Sequence, residues 1–368
     1  MYDYLIVGAG LFGATLARDL TDAGRRVLVI DRRAHIAGNC YTESAEGITV
    51  HRYGGHIFHT NSRPVWEYVN RFVPFYPYRH RLAVNHGGRL YSFPINLMTL
   101  HQLYGVTTPD EARELIEQVR GPAGGDNLRD WLIGQVGERI YRMFVEGYTR
   151  KQWGRDPAEL PASIIRRLPI RYSYDDGYFS DIYQGLPSGG YTALVAAMLA
   201  GIETRLGVDY LDGRWALDRL AHRTVYTGEI DALFDRDAGA LEYRSLRFEW
   251  ETLPTDDYQG AATINYTDAD VPYTRVVEFK HFMPRPPQGV TVIMREYPQA
   301  WQPGAEPFYP INDAANNARA AEYQARAKAA GYLYGGRLAD YRYYDMHQVI
   351  ASARTMAQRE LEHGAVYA

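Results

Sequence analysis

A chain of 368 residues has room for two or three domains of about 150 residues each and for a sizeable core. Its 40 basic and 44 acidic residues leave a net charge of −4, which excludes the basic footprint of a nucleic-acid binder. A hydrophobic content of 46% with 23% charged residues excludes wholesale disorder, and no apolar run approaches the roughly 18 residues of a membrane span. Cys40 is the only cysteine, so no intramolecular disulfide forms, and Met1–Tyr4 lacks a basic n-region. The expectation is a soluble, cytoplasmic globular protein. Only Lys151, Lys280 and Lys328 among the 40 basic residues are lysine, a bias that weakens any argument from arginine alone.

In chain order, Tyr4–Val7 reads as a short buried strand, Gly8–Gly13 as a glycine turn, and the stretch to about Asp22 as a helix. Val27–Ile30 is a second buried strand ending at Asp31, which completes a βαβ unit. Helices dominate from about 96 to 150. Thr108, Pro109 and Glu111 supply a capping box, with Ala112, Leu115, Ile116 and Val119 on one face. Asn127 caps the next helix, and Gly147 interrupts the pattern. Alternation at Leu246, Phe248 and Trp250 marks a half-buried strand, followed by strands at Ala262–Tyr266, Thr274–Phe279 and Thr291–Tyr297. A hairpin at Asn85–Gly88 joins this antiparallel sheet. Ala314–Ala330 is an Ala-rich helix. Tyr332–Tyr334 is a strand, Gly335-Gly336-Arg337 a turn, and Asp345–Gln348 a capping box opening a helix with Ile350, Ala353, Ala357 and Leu361 on one stripe. A sheet begun at residue 3 and revisited at the C-terminal end implies a discontinuous nucleotide domain.

The glycine motif gains force from its context. Gly8 permits the tight turn, Gly10 the approach of a pyrophosphate, and Gly13 close helix–strand packing, while Asp31 accepts from a ribose hydroxyl. The second glycine turn at Ala37-Gly38-Asn39 and the late capped helix point to FAD rather than NAD, since a helix N-terminus favours the negative edge of reduced flavin. His51, His56 and His59 have no carboxylate or cysteine at ligand spacing, so no metal site is expected. No nucleophile elbow, P-loop or HExxH motif occurs. Gly147–Gly154 reads as a polar, glycine-bounded loop in which Trp153 is either core or a ligand contact.

Longer runs carry a resemblance. Tyr53–Asn61, Gly147–Gly154, Glu159–Ala162, Tyr174–Phe179, Val271–Arg275, Pro307–Pro310 and Gly335–Val349 together make the chain similar, over nearly its whole length, to the bacterial UDP-galactopyranose mutases. The resemblance implies an isomerase that interconverts UDP-galactopyranose and UDP-galactofuranose with no net redox change. Reduced FAD N5 is then the nucleophile at the anomeric carbon. It implies an α/β fold with a discontinuous Rossmann-like FAD-binding domain (1–79, 183–240 and 330–368) and an inserted helical domain with a mobile substrate loop (96–160). The rest (80–95, 161–182 and 241–329) is a twisted antiparallel β-sheet domain. A homodimer and an unidentified reductant such as NAD(P)H are implied as well.

In family terms, Arg167 and Arg275 hold the substrate diphosphate, Tyr148 stacks on uracil, Trp153 is the loop tryptophan and Asn265 a uridine contact. Tyr178, Tyr309 and Tyr343 donate to the phosphates. Phe12, Asp31, Arg32, Asn39, His56, Ile57, Arg337, and Tyr344, Asp345, Met346, His347, Gln348 and Val349 match flavin contacts, with Asp209 and Tyr210 on the adenine side. Two positions depart: His80 stands where relatives have asparagine near the uridine, and Phe308 replaces a tyrosine. Two other readings share parts of the pattern, an FAD-dependent oxidoreductase of the amine-oxidase type and an inactive UDP-sugar-binding protein.

Overall fold

The structure is a computed structural model that describes residues 1–122, 124–166 and 168–364. Arg167 therefore lies outside the described residues. Strand β1 (Tyr2–Val7), helix α1 (Leu11–Asp22) and strand β2 (Val27–Asp31) form the expected unit. Leu5 and Ile6 on β1 point to opposite faces and are both fully buried, so the sheet must be covered on both sides. Ile6 and Val29 pack with Leu16, Leu194 and Ile350 on one face. Leu5, Leu28 and Ile30 pack with Tyr210, Tyr323 and Ala327 on the other. Five parallel strands result, in the order Glu203–Leu206, β2, β1, Ala221–Tyr226 and Leu333–Tyr334. The helix Ala314–Ala329 falls within the range assigned from sequence to the sheet domain, yet its Ala320, Tyr323 and Ala327 stripe packs on this parallel sheet.

A seven-stranded sheet runs Tyr309–Pro310, Tyr243–Leu253, Thr291–Ala300, Arg275–Glu278, Thr263–Tyr266, Leu82–His86 and Arg89–Phe93. The hairpin turn is built on Gly87 and Gly88, whose φ values of +58° and +74° suit the two central positions of a type I′ turn. One expectation is corrected: Thr263–Tyr266 pairs with Leu82–His86 in parallel, so the sheet is not wholly antiparallel. A parallel pair needs a long crossover, and the intervening chain, including part of the nucleotide domain, supplies it.

The helical region has the expected caps. Thr108 accepts from Glu111 N and Asn127 from Asp130 N, and Asn96 adds a further box with Thr99. The segment from 147 to 154 departs from expectation, because it is a helix (Gly147–Trp153), not a loop. Gly147 itself has helical φ and ψ of −65° and −42°, and a Cβ there would stand 2.1 Å from the Thr267 carbonyl oxygen. Glycine is required here for close approach and not as a hinge. Gly154, at φ +64°, ends the helix. Thr149 and Gln152 are buried, and Arg244 donates from Nε to the Gln152 carbonyl at 2.8 Å. Among the described residues, no helix is long and apolar enough to cross a membrane.

Candidate active site

The turn after β1 opens a long cavity. Gly8 has φ +116°, and a Cβ on it would lie 2.0 Å from Thr227 Oγ1, while one on Gly13 would lie 1.9 Å from the Gly8 carbonyl oxygen. Asp31 ties this turn to the end of β2: its carboxylate accepts from Ala9 N and Arg33 N, each at 2.8 Å. Gly8, Gly10, Phe12 and Gly13 line the cavity with Asp31, Arg32 and Asn39. Asp209 and Tyr210 line it too, as do His56, Arg337, Tyr344, Met346 and Val349. The glycine cradle and the cavity's reach from Asp209 to the last helix fit an extended dinucleotide. At Gly335 a Cβ would lie 2.2 Å from the Phe12 ring, so the late Gly335-Gly336-Arg337 turn packs directly on the first glycine turn's helix.

Four residues expected at the flavin do not line this cavity. Ile57 is buried in the core, Gln348 spends its side-chain oxygen on Asp345 N (2.9 Å), and His347 turns edge-on to His59 with ring centroids 5.4 Å apart. Asp345, at the start of that turn, is the fourth. In their place Tyr226, Thr227, Glu229 and Glu306 line it. Tyr226-Thr227-Gly228 repeats the strand-then-glycine punctuation of the first turn, which is the sequence signal for three of its lining residues. His56 donates from Nδ1 to the Gly54 carbonyl at 2.6 Å, and burial lowers its pKa to about 4. His51 accepts from His56 N at 3.0 Å and is drawn down to about 3, again by burial. Both rings are committed to the backbone.

The second half of the site is a cross-strand row. Asn265, Arg275 and Glu296 lie directly opposite one another on three adjacent strands, so their side chains share one face of the sheet. Arg275 Nε stands 3.5 Å from Glu296 Oε1, and its Nη2 donates to the Tyr148 hydroxyl. Burial raises the Glu296 pKa and Arg275 opposes that rise; burial works against the Arg275 cation, but Glu296 and Tyr148 hold it charged. Asn265 Oδ1 is buried with no hydrogen-bond partner among the described residues, an open acceptor beside a cation. Tyr309 stacks on Tyr343 with centroids 5.7 Å apart, and Trp153, packed against the helical core, stands 6.4 Å from Tyr309. Arg337 joins the two halves, since it lines the cavity and lies 5.9 Å from the Tyr309 ring.

His80 lies beside Tyr178, on the same side as Arg275. Its carbonyl accepts from Tyr178 N at 2.8 Å, its ring lies 5.6 Å from that of Tyr178, and Arg275 is the cation that adds to burial in opposing its protonation. His59 in turn bonds Asp181 at 2.6 Å and faces His347, so His80 lies between Arg275 and the start of the last helix. Burial lowers His80 to about 3 and keeps it neutral. Glu296 was missed in the sequence because acids in strands read as solvent-facing. Its place in the inward series Val292, Met294, Glu296 is the signal that marks it.

Residues 143–343 match the family model described as UDP-galactopyranose mutase, and residues 6–72 that of an NAD(P)-binding Rossmann-like domain. The chain belongs to the UDP-galactopyranose mutase family. The 143–343 match holds Tyr148, Trp153, Asn265, Arg275, Glu296 and Tyr309, and so covers the cross-strand row, while the 6–72 match covers the Rossmann turn. Among family relatives, a dTDP-fucopyranose mutase of Escherichia coli is 41% identical over 97% of this chain and 98% of its own length. A probable UDP-galactopyranose mutase of Klebsiella pneumoniae is 40% identical, over 97% and 94%. A crystal structure of reduced UDP-galactopyranose mutase shares the fold with a TM-score of 0.78 at 15% identity, over 98% of this chain and 94% of that one.

Proposed function

We propose that the protein is a flavin-dependent mutase that interconverts UDP-galactopyranose and UDP-galactofuranose without net redox change. The observation that carries the proposal is the Asn265–Arg275–Glu296 row with Tyr148, set beside the dinucleotide cavity and joined to it by Arg337. FAD, when bound and reduced, supplies an electron-rich nucleophile for the anomeric carbon.

The chain's residues supply binding, orientation and charge. Arg275 meets the diphosphate and stabilises the charge that grows on it as the anomeric bond breaks, with Arg167 assigned alongside it by resemblance. Glu296 faces Nε at 3.5 Å and Tyr148 accepts from Nη2, so the fork is oriented before binding and Nη1 is left for the substrate. Tyr148 offers its ring to the base, Asn265 Oδ1 accepts from the base or ribose, and Tyr309 and Tyr343 donate to phosphate oxygens. Neutral His80, on the flavin side of Arg275, borders the hexose with Tyr178. Trp153 closes the nucleotide end beside Tyr309. Two copies form the working dimer, and NAD(P)H reduces the flavin.

The 41% identical relative is a dTDP-fucopyranose mutase by name, so a dTDP-6-deoxyhexose is the second reading. The test is turnover of UDP-galactofuranose and of dTDP-fucofuranose by the purified flavoprotein after dithionite reduction. Turnover of the first at the higher kcat/KM supports the proposal, and the reverse order selects the second reading. Undiminished activity with oxidised flavin in aerobic buffer, with no reductant, would sink both.

A further inference from the structure

The helix Gly147–Trp153 carries Lys151, whose side chain leaves the helix and enters the connection between the strands Thr263–Tyr266 and Arg275–Glu278. There its Nζ meets four backbone carbonyl oxygens, of Tyr266 at 2.8 Å, Asp268 at 2.9 Å, Val271 at 2.9 Å and Tyr273 at 3.1 Å. An ammonium has three protons, so four converging acceptors form a coordination shell more than a set of directed bonds. Rings of backbone carbonyls of this kind replace the hydration shell of potassium in channel filters.

The clasp joins two parts of the substrate site. Tyr148 lies one turn before Lys151 on the same helix face, and the clasped connection begins just after Asn265 and ends just before Arg275. Gly147 already brings the helix against the Thr267 carbonyl. In a chain with 40 basic residues and three lysines, a lysine here is a choice of shape: a planar guanidinium fork does not fill a cage of four converging oxygens.

We infer that Lys151 is a positioning residue for the nucleotide end of the site, and that its ammonium occupies a backbone cage with the chemistry of a potassium or ammonium ion site. Emptying the cage lets the helix bearing Tyr148 part from the connection that sets Asn265 and Arg275. The inference rests on the proposed nucleotide-sugar site. Its readout is therefore equilibrium binding of UDP and dTDP to the flavin-loaded protein, measured separately from turnover.

The test is run at pH 7, because burial draws the Lys151 ammonium down to about 8 in spite of Asp268 and Asp270. Lys151→Ala and Lys151→Met are expected to keep the flavin spectrum, since the flavin cavity does not include this residue. Both are expected to bind UDP at least tenfold more weakly and to raise KM more than they lower kcat. In Lys151→Ala, ammonium or potassium chloride restores most of the lost affinity, while lithium chloride at equal ionic strength does not. Lys151→Arg stays weak in every salt. Parent-like UDP affinity in both truncated variants, or a loss that neither cation restores, would overturn the inference while leaving the mutase proposal standing. A parent protein that binds neither nucleotide would take down both.

Discussion

Gly147→Ala separates a hinge from a point of contact. Glycine within a helix is worth about 1 kcal/mol less than alanine, so in a freely moving helical segment the substitution stabilises. Here the added Cβ would stand 2.1 Å from the Thr267 carbonyl oxygen, against an ordinary carbon–oxygen contact of about 3.3 Å. Helix and connection must part by roughly 1.2 Å, and overpacking of that kind costs about 1–3 kcal/mol, enough to reverse the propensity gain. The displacement falls on Tyr148, the next residue, and on the Lys151 clasp. A misplacement of about 1 Å in a positioning element costs on the order of 100-fold in rate. The expected result is a lower melting temperature, a kcat/KM down about 100-fold and an unchanged flavin spectrum. Thermal melting followed by flavin fluorescence, with steady-state kinetics on the reduced enzyme, gives all three. A variant that melts at or above the parent temperature with normal kcat/KM would refute close approach as the reason for glycine at 147.

Three further outcomes are expected. Arg275→Lys keeps a charge but loses the fork, so kcat falls by roughly 100-fold with flavin retained; a kcat within threefold of the parent would remove Arg275 from the leaving diphosphate. Gly13→Ala places a Cβ 1.9 Å from the Gly8 carbonyl oxygen, so the purified variant carries little visible flavin absorbance, and full occupancy would show that the cradle yields. His51 and His80 are buried with pKa values lowered to about 3, below the unfolded value of about 6.5, so only the unfolded chain takes up their protons as pH falls. Their contribution is complete well above pH 6.5 and is lost on acidification through the window from 6.5 toward 3, at roughly 3 kcal/mol per pH unit for the pair. A urea midpoint unchanged between pH 7.5 and pH 5 would contradict this.

The nucleotide half of the fold was legible because its signals are local: a buried strand, glycines at fixed spacing, a helix and an acid at the next strand end. The caps at Thr108 and Asn127 were legible for the same reason. The parallel join of Thr263–Tyr266 to Leu82–His86 was not, since nothing in either strand names its distant partner. The helix Gly147–Trp153 was misread because its buried positions are polar. Thr149, Lys151 and Gln152 look like a solvated face until the carbonyls that receive Lys151, and the Arg244 bond to the Gln152 carbonyl, are in place. Glu296 was hidden likewise, as a buried acid is legible only once Arg275 is seen opposite it. Met346 and Val349 line the cavity while Asp345, His347 and Gln348 do not, because the 3.6-residue period of a helix sets only every third or fourth side chain on one face.

The parallel sheet has a consequence for how the protein is made. Its central strand is residues 2–7, but the neighbour on one side is residues 221–226, and the next strand is residues 333–334. The walls of the flavin cavity are equally scattered, from Gly8 to Val349. During synthesis the first βαβ unit emerges with one face of its sheet bare, and the strands that flank it are still to be translated. Contacts of such long sequence separation form slowly, because the chain must close large loops before any pairing repays them. The helical insertion, built on near neighbours, is placed to fold ahead of the domain into which it is inserted. Flavin capture then becomes a late event that seals the nascent chain's last helix over a sheet begun more than 300 residues earlier, and flavin starvation should leave the helical insertion folded and the nucleotide domain open to proteolysis.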